Sequence, residues 1–103
     1  MTSAINSGLA GLRAAEARAA VRAQNIVNWQ SEKYRPLTPV QTTTEAGAPI
    51  VHVRPIELSG DFAFVDIAAE LVDMRMAKHA YRASANVLRT AEEMSKTLLD
   101  TFA

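Results

Sequence analysis

Apolar residues near the start of the chain recur every three or four positions, which is the pattern of one side of an α-helix. Glu16 interrupts this stripe. Arg13, Arg18 and Arg22 fall on the opposite side, where we expect solvent. The pattern predicts a helix from about Ala4 to Asn28, about 37 Å long at 1.5 Å per residue. The positions expected to face a partner helix are Ile5, Leu9, Leu12, Ala19, Ala23 and Ile26.

A second helical pattern fills the C-terminal part of the chain. Asp66 is a good N-cap, and Glu70 and Asp73 follow where the positive end of the helix dipole favours acidic residues. The run from Thr90 to Glu93 matches a capping box, but nothing before it breaks the pattern. We therefore predict one helix from about Asp66 to Thr101, on the order of 50 Å long. Its apolar stripe comprises Ile67, Leu71, Met74, Tyr81, Ala85, Leu88, Ala91, Met94, Leu98 and Phe102.

The middle of the chain holds all four prolines, so no long helix crosses it. Residues Val40–Thr44 and Ile50–Leu58 read as two strands joined by a turn at 45–48. A lone two-stranded hairpin is marginal in water, so it must lean on the helices or on another subunit. The predicted fold class is mainly α: two long terminal helices pair as an antiparallel hairpin or coiled coil, with a small β-hairpin between them. One domain is expected, with segments 1–28, 29–64 and 65–103.

The second predicted helix outruns the first by about ten residues. We expect Ile67, Leu71, Met74, Tyr81 and Leu88 to serve first as the core of the chain's own helix pair. Beyond that pair, part of the apolar set Met94, Leu98, Leu99 and Phe102 is left uncovered. Such a surface favours an oligomer or filament subunit.

Composition narrows the possible functions. The 103 residues carry 11 basic and 11 acidic side chains and no Cys, which disfavours nucleic-acid binding and excludes disulfides and thiolate metal sites. No apolar run reaches the roughly 20 residues that cross a bilayer. The N-terminal residues lack the pattern of a secretory signal, so any export is expected to proceed without a cleaved one.

The chain offers no recognisable catalytic constellation. His52 and His79 are the only imidazoles and lack zinc-site spacing, so we predict no catalytic, cofactor-binding or metal residues. Gly8 and Gly11 lie inside the helical pattern, where close helix packing explains them best. A basic cluster either forms a solvated face or meets acidic residues of a neighbouring molecule; it consists of Arg75, Lys78, His79 and Arg82.

Motifs at both ends of the chain resemble those of bacterial flagellar axial proteins, the rod and hook group. At the N-terminal end these are Ser7–Leu9, Ala14–Arg18, Asn25–Asn28 and Tyr34. At the C-terminal end they are Val65–Met74, Tyr81–Leu88, Ala91–Met94 and Leu98–Leu99. Family members commonly carry Thr and Gly where this chain has Ser31 and Lys33. Because Lys tolerates positive φ poorly, we expect that turn to be rebuilt.

The resemblance implies that the terminal helices stack into the inner tube of a helical axle. It also implies export of the unfolded chain through the flagellum's own secretion apparatus, to the basal-body rod in the periplasmic space. The implied partners are other rod and axial proteins, copies of the chain itself and the export apparatus, with no nucleic acid, small-molecule substrate or membrane insertion. Asn25, Asn28 and Tyr34 would form a helix-end motif that holds the turn toward the β segment.

The leading hypothesis is therefore a structural subunit of the flagellar rod that transmits torque through packing. The middle segment is too short for the large β domain of hook and distal-rod members, which favours a proximal-rod type. The alternative is a cytoplasmic helical adaptor or an export-chaperone-like module whose exposed stripe binds a partner helix. An enzyme is the third and weakest possibility.

Overall fold

Two long helices and a two-stranded antiparallel sheet form the structure, a computed structural model that describes residues 2–31, 33–56 and 66–102. Helix α1 spans Thr2–Val27, strand β1 spans Leu37–Thr43, strand β2 spans Pro49–Pro55 and helix α2 spans Ile67–Phe102. The helices pack against each other, which confirms the predicted fold class. Both helices lie within two residues of their predicted bounds, and α2 continues through Thr90 without a break.

Helix α2 begins with the expected cap. The Asp66 carboxylate accepts a hydrogen bond from the backbone N–H of Ala69 at 3.2 Å. This bond satisfies one of the free amide groups in the first helical turn, where Glu70 also follows. The local sequence thus fixes where α2 starts.

The helices run antiparallel along a seam of small residues. A Cβ on Gly8 would lie 2.8 Å from Leu88 Cγ, and one on Gly11 would collide with the Ser84 side chain. Ala15 on α1 and Ala77 on α2 are buried along the same seam. Close approach of the two backbones therefore explains both helical glycines, as predicted.

The predicted stripe on α1 is displaced from this seam by one position. Gly8, Gly11, Arg22 and Asn25 contact α2, whereas the stripe had placed Leu9 and Leu12 there. Leu9 is exposed instead. One residue is a rotation of about 100° on a helix, so the larger apolar residues lie beside the seam and not in it.

The same displacement corrects two expectations on α2. Leu71 and Tyr81 were expected in the core of the helix pair, but their exposed fractions are 53% and 41%. Ile67, Met74 and Leu88 are partly buried. The tight seam holds small side chains, and these two larger ones are left at its margin.

The sheet begins earlier than predicted and lies on α1. Strand β1 starts at Leu37 instead of Val40, and β2 spans Pro49–Pro55; residues 57 and 58 of the predicted second strand lie outside the described residues. Both strands pack on α1, and in the described part of the chain neither packs directly on α2. One side of α1 is therefore covered, with Ala10, Ala14 and Ala17 beside Pro49–Val51.

Three prolines fit the sheet without loss of hydrogen bonds. In the register of the sheet, Leu37 lies opposite Pro55 and Thr43 lies opposite Pro49. Just beyond these pairs, the Ile56 N–H donates to the Pro36 carbonyl and the Thr44 N–H donates to the Ala48 carbonyl, in the same register. Even-numbered residues therefore form the hydrogen-bonded pairs, and odd-numbered ones direct their backbone groups outward. The outward set includes Pro39, Pro49 and Pro55, which block parts of both edges against further strands.

The seam predicts that Gly11→Ile destabilises the helix pair by about 1–3 kcal/mol, because the new side chain overpacks against Ser84. The matched control is Ala20→Ile on the exposed side of α1, which should change stability by no more than about 0.5 kcal/mol. Urea unfolding followed by circular dichroism, at a concentration where the wild type is helical, measures both. Equal effects of the two substitutions would contradict the tight seam.

Candidate functional site

A buried polar junction ties both helices to the sheet. Asn25 is fully buried, and its Nδ2 donates to the Leu37 carbonyl at 2.8 Å and to Glu70 Oε1 at 3.1 Å. Its Oδ1 accepts from the Leu37 N–H at 2.9 Å and from the Tyr34 hydroxyl at 2.7 Å. The amide thus binds the outward backbone groups of Leu37 as a neighbouring strand would, and all its hydrogen-bonding groups are satisfied.

Charged side chains complete this junction. Arg22 forms ion pairs with Glu70 at 3.3 Å and with Asp73 at 3.1 Å. Glu70 is only 5% exposed, so its charge depends on Arg22 and Asn25 as partners. Burial raises the pKa of the Tyr34 hydroxyl, and the nearby Glu70 carboxylate raises it further. Tyr34 is therefore held in its neutral form, which donates to Asn25.

The predicted helix-end motif divides between this junction and the surface. Asn25 and Tyr34 lie in the junction, whereas Asn28 donates to the Gln24 carbonyl at 2.9 Å at the surface. Arg22 was expected to face solvent and Glu70 to act on the helix dipole, so the sequence interpretation missed their pairing. Two polar residues spaced three apart on the seam, Arg22 and Asn25, were the signal that could have revealed it.

The turn before β1 is not rebuilt. Lys33 has a φ of 61°, in the left-handed region that favours glycine, and the Tyr34 N–H donates to the Ser31 carbonyl at 3.3 Å. The expected change of backbone was therefore wrong. Lys33 thus occupies a backbone conformation suited to glycine. The turn places the Tyr34 hydroxyl within hydrogen-bonding distance of Asn25.

The side of the helix hairpin opposite the sheet carries an apolar groove, called here the open groove. It has a volume of about 540 Å³. Glu16 and Ala19 form its α1 wall, and Leu71, Lys78 and Tyr81 belong to its α2 wall. Ala15, Met74, Arg75 and Ala77 complete the lining.

Helix α2 also exposes an apolar stripe on its other flank. Val72, Met76 and Val87 are each about half exposed, and Met94 and Leu98 continue the same side. The sequence interpretation missed the first three. The intervals from Val72 through Met76, Val87 and Met94 to Leu98 are 4, 11, 7 and 4 residues, which is a helical period. The stronger central stripe concealed this pattern.

The last turns of α2, residues 94–102, are called here the C-terminal end. Leu99 and Phe102 are largely exposed, Phe102 at 83%, and Met94 and Leu98 are also exposed. This confirms that the apolar residues beyond the helix pair lie uncovered in the described chain. On α2 the seam recurs every seven residues, at Glu70, Ala77, Ser84 and Ala91. Seven residues after Ala91 the same side of the helix carries Leu98.

The twelve residues predicted for helix pairing or assembly thus fall into two groups. The structure leaves six partly buried beside the seam: Ile5, Leu12, Ile26, Ile67, Met74 and Leu88. It exposes the other six: Leu9, Leu71, Tyr81, Met94, Leu98 and Phe102. Contacts between subunits through any of them stay a prediction.

The two histidines lie on different elements of the described chain. His52 lies on β2 and His79 on α2, both exposed. Among residues 2–31, 33–56 and 66–102, no three side chains of the metal-binding types come together. Neither described helix has a stretch apolar enough to pass through a bilayer. The prominent features are the exposed apolar surfaces.

The paired helices leave apolar surfaces uncovered, and surfaces of this kind commonly mark protein interfaces. Residues 65–101 match the family model described as flagellar basal body rod FlgEFG protein C-terminal. The match falls on α2, and it agrees with the resemblance of the chain to flagellar rod and hook axial proteins. The matched family is a structural one. No curated protein matches the chain.

The polar junction predicts a large difference between two asparagines of the same helix end. Asn25→Ala leaves the buried groups of Leu37 and Tyr34 without their partner, and we expect a loss of about 2–4 kcal/mol in unfolding free energy. Asn28→Ala, whose bonds lie at the surface, should cost about 0.5 kcal/mol or less. Denaturant unfolding of both variants provides the comparison, and similar losses would refute the junction's structural role.

Proposed function

We propose that this chain is a structural subunit of the flagellar basal-body rod, which assembles helically with other axial proteins and with its own copies. The observation that carries this proposal is the uncovered apolar C-terminal end of a helix that matches the rod family. Exposed apolar surface of this extent is costly in water and is covered in an assembly.

Torque is transmitted in this proposal through helix packing. Each subunit contributes an elongated hairpin, since the described chain extends 65 Å by only 26 and 14 Å. The junction of Arg22, Asn25 and Glu70 fixes the register of the two helices at one end. A load applied to neighbouring hairpins is then carried by side-by-side contacts along the helices.

The proposal includes the route and place of the subunit. The export apparatus of the flagellum would carry the chain without cleavage of a signal peptide, and the chain would join the rod in the periplasmic space. The short segment between the helices holds only a two-stranded sheet in its described part. This favours a proximal-rod type of subunit over a hook or distal-rod type.

The open groove gives a specific reason to test a second function. An amphipathic helix of another protein could lie in such a groove, as in an adaptor or an export chaperone. Cell fractionation separates the two functions, because a rod subunit co-purifies with basal bodies and an adaptor stays in the cytoplasm.

The rod function predicts that Leu98→Asp or Leu71→Asp abolishes motility and incorporation into the rod while export continues. Each change puts a charge on an exposed apolar surface that assembly would bury, and both side chains are about half exposed in the single chain. Ala46→Asp in the exposed hairpin turn is the control and should swim normally. Swimming assays and immunoblots of purified basal bodies measure the outcome. Normal swimming of both helix variants would refute the proposal.

A further inference from the structure

The basic cluster of α2 continues to Arg89 along the side of the helix that faces away from α1. At about 100° per residue these positions share one arc of about 100°, centred about 160° from the seam residues of α2. The stretch from Arg75 to Arg89 is about 21 Å long. This surface is called here the basic face, and all its members are exposed: Arg75, Lys78, His79, Arg82 and Arg89.

The sequence of α2 concentrates positive charge on the basic face. No acidic residue lies between Asp73 and Glu92. Asp73 forms an ion pair with Arg22 of α1 at 3.1 Å, so its carboxylate is directed toward the other helix. Within the described residues, none of the bases of the basic face forms an ion pair. Their charge is left for solvent or for an external anion.

Acids of the described chain approach the basic face at two places. Glu92 and Glu93 follow Arg89 within about one turn of α2 and offset this last base. Glu16 lies on α1, across the open groove from the basic face. Arg82 and the bases before it lie about 15 Å or more along the axis from Glu92, which exceeds the screening length of about 8 Å at physiological salt. The charge of the basic face therefore stays positive.

Exposed apolar side chains accompany these bases. Leu71 falls within the same arc and is 53% exposed, and Val72 lies at the edge of the arc and is 59% exposed. A helix that presents Lys and Arg together with apolar residues to one side is typical of helices that lie on anionic lipid surfaces. A flat surface contacts the whole arc at once, whereas a partner helix contacts a narrower strip.

The fold leaves room for such a contact. Helix α2 is continuous over 36 residues, and in the described chain it packs on α1 and directly on neither strand. The sheet lies on α1. The outer side of α2 can therefore lie along a flat surface without displacing another described element.

We propose that the basic face binds the surface of an anionic phospholipid bilayer. Its Arg and Lys side chains contact the lipid phosphates, and Leu71 and Val72 are buried among the headgroups. The contact is peripheral, with the axis of α2 parallel to the surface. This inference goes beyond the rod function and does not rest on it, because co-purification with basal bodies tests that function separately.

The expected attraction is large enough to measure. One base near an anionic leaflet strengthens binding about fivefold, so three bases together contribute about 100-fold. The attraction falls off within one screening length. It therefore depends on the local charge of the basic face, although the chain as a whole has no net charge.

Co-sedimentation with lipid vesicles tests the proposal with two triple variants. One variant removes three bases of the basic face: Arg75→Gln, Lys78→Gln and Arg82→Gln. The matched control removes three exposed arginines on α1, in the loop before β1 and on β2: Arg13→Gln, Arg35→Gln and Arg54→Gln. Both variants lose the same charge, and circular dichroism checks that both keep wild-type helicity at the concentration of the assay.

The vesicles contain equal parts of phosphatidylglycerol and phosphatidylcholine, or phosphatidylcholine alone. The wild type and the control should bind the mixed vesicles similarly, and the basic-face variant should bind about 100-fold more weakly. Raising the salt from about 0.1 M to about 1 M should release the wild type, because the screening length falls from about 10 Å to about 3 Å. Equal binding by the two variants, or equal wild-type binding to both kinds of vesicle, would overturn the proposal.

A further variant separates a lipid surface from an acidic protein as the partner. Leu71→Gln keeps every base and should weaken binding to mixed vesicles about fivefold, because a half-exposed leucine no longer enters the headgroup region. Soluble poly-glutamate supplies the negative charge without lipid. Binding of the wild type to poly-glutamate but not to mixed vesicles would overturn the lipid contact and indicate an acidic protein in its place.

Discussion

The close approach of α1 and α2 is the constraint on which the rest of the structure depends. Gly8 and Gly11 allow the α1 backbone to reach Leu88 and Ser84, and alanines occupy other buried positions of the pair. A seam this tight leaves Leu71 and Tyr81 at its margin, and Leu98 lies beyond the helix pair. Burial of apolar area drives folding, and a core made mostly of alanine supplies little of it. The same constraint that pairs the helices leaves their larger apolar residues for other contacts.

At the other end of the hairpin, the polar junction joins the two helices. There Asn25, Glu70 and Arg22 form a specific network between the helices, and Asn25 also holds Leu37 at the start of the sheet. A buried ionic network contributes less stability than apolar packing, but a shift of register would leave its groups unpaired. The register of the two helices is therefore fixed near the loop, whereas the apolar side chains at the C-terminal end of α2 are uncovered. This division of tasks suits a subunit that must present one end to a neighbour in a defined orientation.

The sequence was sufficient to predict the elements but not their relative rotation. Helical periods, the Asp66 cap and the prolines located both helices and the sheet closely, because these signals act within a few residues. The seam was misplaced by one position, since periodicity reports where apolar residues lie and not how closely two backbones can approach. Leu9 therefore seemed a better seam residue than Gly8, although only glycine fits against Leu88.

Local sequence patterns could not predict the polar junction, because its partners are far apart in the sequence. Arg22 and Glu70 are 48 residues apart, and only the antiparallel pairing brings them together. Lys33 shows the converse case, in which the turn geometry prevails over the preference of the residue and φ stays positive. The open groove likewise results from the position of the sheet on one side of α1. These features depend on tertiary arrangement, which one sequence does not specify locally.

We infer that this hairpin depends on neighbouring molecules to cover its apolar helices. Circular dichroism and sedimentation of the purified chain across a range of concentrations test it most directly. We predict low helicity in the dilute monomer and a rise in helicity together with self-association, because contacts between copies add the apolar burial that the alanine seam lacks. A fully helical monomer that does not associate at any concentration would contradict this dependence on neighbours.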